Sequence, residues 1–151
     1  MDLPLHPMMV HLPLGLVVVL PVVTAIFFIL YRMQFLNKAS YVLILVLHSF
    51  LLGGAYIAEE TGEEDEDLVE QVVAEHYIED HEEKAEAFVA AVTVSFVLHL
   101  VFFFLPMGAA FHAGLVLALV MQAGLIYFAY EVGHAGAVLV YEHGAAEAHR
   151  Q

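Results

Sequence analysis

The chain has 151 residues, 62% of them hydrophobic and only 15% charged, with 18 Asp and Glu against four Lys and Arg, a formal charge of −14. A mean hydropathy of +0.81 lies outside the range of ordinary soluble domains and inside that of membrane bundles, and the charge leaves nothing to neutralise phosphates, which argues against nucleic acid. The lack of cysteine excludes disulfides, thiolate metal sites, iron–sulfur clusters and covalent c-type haem, so any metal must be held by His, carboxylate or Met.

Four apolar stretches reach the length of about 20 residues that crosses a hydrocarbon core. The first covers 8–31, with Pro13 near its start and Pro21 as a kink. It lacks a basic leader and is too long for a cleaved signal peptide, so it reads as a retained span. A polar link, Arg32 to Lys38, leads to the second span, 39–58. The third covers 88–105 and closes on Pro106-Met107-Gly108. The fourth covers 109–131, with a helical pattern that continues towards Tyr141.

The only long polar segment, 59–86, opens on a run of acids from Glu59 to Asp67, which reads as a solvated loop. From Leu68 onward, Val69, Val72, Val73, His76 and Tyr77 recur at helical spacing. That pattern predicts an amphipathic helix running on into the third span. The expected fold is all-α: a single integral domain forming a four-span antiparallel bundle, with an acidic extracytoplasmic helix between spans two and three. Arg32 and Lys38 flank the first hairpin, and no acid lies between Met33 and Ala58. Basic residues favour the cytoplasmic side, which puts both termini outside a bacterial inner membrane.

Both ends of the chain carry recognisable motifs. HPMMVHLPLGL (His6 to Leu16) resembles the HPxxVHxPIGL opening of a bacterial domain-of-unknown-function family of four-helix membrane proteins. GHAGAVLVYEHGA (Gly133 to Ala145) resembles that family's closing GGxLVYxHG pattern, with Ala135-Gly136 in place of two glycines. HisGluGluLysAla from His81 is similar to the start of its third span. The resemblance covers the whole chain and implies the same four-span fold. Family members often occur beside cytochrome-like modules, so the resemblance also suggests redox work.

Ten histidines in so apolar a chain are costly to keep without a use. Seven of them (His6, His11, His76, His81, His134, His143 and His149) fall near one membrane face, together with all the acids. A b-type haem needs imidazoles at matching depth and an apolar slot. At the outer face His11, His81 and His134 are best placed for one. Deeper, His48 and His99 lie at similar depths, roughly 16–20 Å from the outer ends at about 1.5 Å per residue. No acid lies near them, which suits a second haem or hydrogen bonds to Ser49, Thr93, Ser95 or Gln122.

The leading reading is therefore a small b-type cytochrome-like subunit carrying electrons to or from a quinone or a basic c-type cytochrome at the acidic face. A saline habitat would produce the same acidic surface without a partner. The alternative is a zinc, copper or iron site built from His6, His11, His76, His81, Glu60, Glu131 and His134. Within that set Glu131 and His134 form a single ExxH pair, where a di-iron bundle uses two. A third reading is a structural subunit of a larger complex. Ala110, Gly114 and Ala118 form a small-residue ridge for packing within the bundle or against a second copy.

Overall fold

A computed structural model describes residues 4–150, leaving Asp2 outside. The described residues form helices and turns with no strand. A single helical turn, α1 (His6–Met9), is separated by Val10 from α2 (His11–Arg32). Pro13 sits in the first turn of α2, where its missing N–H costs nothing. A 3₁₀ turn (Lys38–Tyr41) leads into α3 (Val42–Val69). Next come α4 (Glu75–Phe104) and α5 (Ala109–Tyr141), and a 3₁₀ turn, Ala145–Arg150, follows. The α4–α5 turn stops α4 because Leu105, ahead of Pro106, is extended. Gly108 then takes a φ of 126°, a backbone shape that glycine alone adopts freely.

Four helices, from α2 to α5, are long and apolar enough to cross a membrane. Each packs on two others: α2 on α3, α3 on α4, α4 on α5, and α5 back on α2. The core holds Val17, Leu20 and Phe27 of α2, Ile44 and Leu51 of α3, Phe88 and Val92 of α4, and Phe111, Leu115 and Leu125 of α5. Two glycines let helices close up. A Cβ on Gly54 would stand 3.2 Å from Leu12 and Pro13, and one on Gly114 would stand 3.1 Å from Phe102. Gly114 and the buried Ala118 thus face inward, and this part of the small-residue ridge serves intrabundle packing.

The polar segment departs from the sequence reading. The acidic run from Glu59 is not a loop: α3 continues through it to Val69, 28 residues in all. Glutamate is a good helix former, and Thr61 returns its hydroxyl to the Ile57 and Ala58 carbonyls. The expected helix from Leu68 is broken instead, since Glu70 to Ala74 make the turn before α4. Val73 was read as part of a helical stripe. It sits in that turn and packs with Ile78, Leu139 and Ala145, forming a small second core beyond the main one. The carboxylates therefore ride on helical extensions of α3 and α4.

At the other end Lys38 closes the hairpin turns together. Its ammonium donates to the Leu105 carbonyl at the end of α4 and lies 5.7 and 5.4 Å from the ring centres of Phe103 and Phe111.

Candidate functional site

Two groups of imidazoles come together in the bundle, at different depths. The deep group spans all four long helices. Thr24 of α2, His48 of α3, Ser95 and His99 of α4, and Gln122 of α5 are each no more than 1% exposed. The His99 ring faces the Ser95 carbonyl at 2.8 Å through Nδ1. A carbonyl only accepts, so Nδ1 carries the proton and Nε2 is left as an acceptor. The Gln122 amide fills that role, donating to His99 Nε2 at 3.2 Å and to the Thr24 hydroxyl at 2.9 Å. His48 Nε2 shares a 3.2 Å hydrogen bond with the Ser95 hydroxyl. Its Nδ1 has the Ile44 carbonyl one turn back as nearest partner, without normal hydrogen-bond geometry. The chain of bonds runs α3–α4–α5–α2 and closes the bundle with polar contacts at one level.

His48 and His99 lie side by side, with ring centroids 3.9 Å apart at 33°. Two imidazoles on opposite faces of one haem iron have centroids roughly 6 Å apart, given metal–nitrogen bonds of about 2.0–2.1 Å and a ring radius of about 1 Å. The deep pair is too close for a porphyrin to pass between the rings. It also lies among apolar layers, with Leu51 and Val92 on the acidic side and Tyr41 and Phe111 on the hairpin side. Tyr41 stacks on His99 at 6.2 Å. Bis-histidine haem ligation by His48 and His99 does not fit this arrangement, because the rings serve as each other's packing partners and hydrogen-bond within the bundle.

The second group is at the acidic end. His6 of α1 and His81 of α4 meet edge to face, with centroids 6.1 Å apart. The His6 Nδ1–H donates to the Ala58 carbonyl at 2.7 Å, which leaves its Nε2 lone pair uncommitted. The His81 Nδ1 is buried with no regular partner, and the Val132 carbonyl is its nearest backbone acceptor. Each ring rests against a glycine. A Cβ on Gly62 would stand 3.2 Å from the His6 ring, and one on Gly136 would stand 3.2 Å from the His81 ring. The glycines thus let the two imidazoles reach each other. On the same helical extensions Glu59, Glu63, Glu66, Glu82 and Glu86 interact electrostatically with one another, and the charged neighbours of His81 itself are Asp80 and Lys84.

The other site candidates lie apart from this pair. His11, Glu60, His76 and His134 are exposed. The His134 ring stacks on Tyr130, and His76 lies against Tyr77, which in turn stacks on His143 at 3.7 Å. Glu131 borders a cleft of about 320 Å³ lined also by Asp80, Glu83 and Lys84. His149 stands 3.8 Å from Asp65, and His112 packs on Phe28 and Tyr31. Among the described residues no three His, Asp or Glu side chains converge as a metal-binding group.

The sequence reading favoured His11 over His6. The structure brings His6, not His11, to His81. α1 packs on α3, where the His6 ring bonds the Ala58 carbonyl and rests on Gly62. Thr24 and Gly62 were also passed over; only contact with another helix marks them.

A family model described as a predicted membrane protein, DUF2231, matches residues 2–149. No curated protein and no solved structure matches this chain.

Proposed function

We propose, for a chain that belongs to the DUF2231 family of predicted membrane proteins, that its function is metal binding at the acidic end, with His6 and His81 as ligands. The observation that carries this reading is the pair itself: two imidazoles from different helices with centroids 6.1 Å apart, at the upper end of the roughly 5–6 Å that metal–nitrogen bonds of about 2.0–2.1 Å allow two rings on one ion. His6 has the arrangement usual for a metal-bound histidine, in which one ring nitrogen donates to a backbone carbonyl and fixes the other as the ligand. His81 supplies the second nitrogen, and ligation through Nε2 would turn its buried Nδ1–H towards the Val132 carbonyl.

Imidazole ligands suit zinc, copper and iron and are poor for calcium or magnesium. The carboxylates on the helical extensions of α3 and α4 raise the local concentration of cations at this end of the bundle. Two protein ligands leave the remaining coordination positions for water or for a visiting ligand. A b-type haem draws less support. At the deep pair the two rings leave no gap for it. Electron transfer through a copper or iron ion at the acidic end remains compatible with the site.

The test is the metal content of the full chain, purified in detergent and dialysed against zinc, copper or iron. About one ion per chain is expected, lost in both His6→Ala and His81→Ala. A metal-free protein, or one with a haem Soret band, would overturn the reading.

A further inference from the structure

We propose, resting on the reading of His6 and His81 as metal ligands, that the ion they take is monovalent copper, held nearly in line between the two imidazoles. The width of the pair is the first support. With metal–nitrogen bonds of about 2.0–2.1 Å and a ring radius of about 1 Å, two imidazoles at a tetrahedral angle have centroids about 5 Å apart. On opposite sides of an ion the same bonds put them about 6 Å apart, and His6 and His81 stand at 6.1 Å. Both rings are seated at that spacing, His6 by its 2.7 Å bond to the Ala58 carbonyl and by Gly62, and His81 by Gly136. Among the described residues no third His, Asp or Glu side chain joins them, whereas zinc asks for four donors. Cu(I), a closed-shell monocation, is satisfied by two nitrogen donors in line, and coordination geometry of this kind distinguishes one metal from another.

Charge points the same way. An imidazole binds a metal in its neutral form, so the two ligands bring no negative charge. The charged neighbours of His81 are Asp80 and Lys84, and these pair with each other, so their charges offset. A dication bound here would keep its charge without an anionic ligand. The cost of taking an ion out of water rises with the square of its charge, and both rings are partly buried. The pair therefore favours a monocation over zinc, Fe(II) or Cu(II), which must complete their shells with water. The glutamates of the helical extensions attract cations of either charge and do not alter this preference.

The test is X-ray absorption at the copper edge on the full chain in detergent, loaded with Cu(I) under anaerobic reducing conditions. Competition of Cu(I) and of zinc against chelators of known affinity accompanies it. We expect about one Cu(I) per chain, the intense near-edge feature of a two-coordinate ion, and a first shell of imidazole nitrogen alone. Cu(I) should bind more tightly than zinc by about tenfold or more, and His6→Ala and His81→Ala should each lose it. Three- or four-coordinate copper in the unmodified chain, or zinc held as tightly as Cu(I), would overturn this inference and leave metal binding by the pair standing. A chain that takes up neither ion would overturn both.

Discussion

Replacing Ser95 with alanine isolates the energetic role of the deep polar layer. The Ser95 hydroxyl is the regular partner of His48 Nε2 at 3.2 Å, and both side chains are fully buried. The other nitrogen of His48 already lacks a well-formed bond, so Ser95→Ala strands the whole ring. An unsatisfied buried polar group costs about 1–3 kcal/mol. Interhelical hydrogen bonds inside membranes average only about 0.6 kcal/mol because the unfolded chain also finds partners. A destabilisation of about 1–2 kcal/mol follows, since losing one hydroxyl opens almost no cavity. The assay is reversible denaturation in mixed micelles, followed by helical circular dichroism, as a double-mutant cycle with His48→Leu. Leucine has nothing to satisfy, so the double variant should lose less than the sum of the singles, by about 0.6–1.7 kcal/mol. Additivity within about 0.3 kcal/mol would refute the reasoning.

Three further outcomes follow from the same geometry. Gln122→Leu strands the buried His99 Nε2 and Thr24 hydroxyl but also removes a buried carbonyl oxygen that has no partner, so it should cost about 1–2 kcal/mol in the same denaturation assay. Lys38→Met breaks a charged hydrogen bond to the end of α4 and two ring contacts, and should destabilise by about 1.5–3 kcal/mol. Gly136→Val drives a branched side chain into the His81 ring. Equilibrium dialysis should show metal affinity reduced about 10–100-fold, the usual effect of disturbing a ligand's support, with helix content unchanged.

How far the sequence could be read depended on which physics set each feature. Span length and apolarity are local properties, so the four membrane helices were legible in the composition of each stretch. The depth of His48 and His99 was also legible, because helical rise is constant and both spans have clear ends. Their use was not. Whether two imidazoles at one level flank a cofactor or stack on each other depends on helix rotation, which one sequence does not encode locally. The acidic run was misjudged for a different reason. Charge density suggested a solvated loop, yet glutamate favours helix and α3 simply extends out of the membrane. His6 was undervalued because its role depends on how α1 packs on α3, beside Gly62 and the Ala58 carbonyl.

Counting the imidazole nitrogens bound to copper tests the central claim most directly. Pulsed electron paramagnetic resonance on the Cu(II)-loaded full chain should detect two coordinated imidazoles, and one in each of His6→Ala and His81→Ala. No coordinated imidazole in the unmodified protein, or two surviving in either variant, would contradict a metal centre built on this pair.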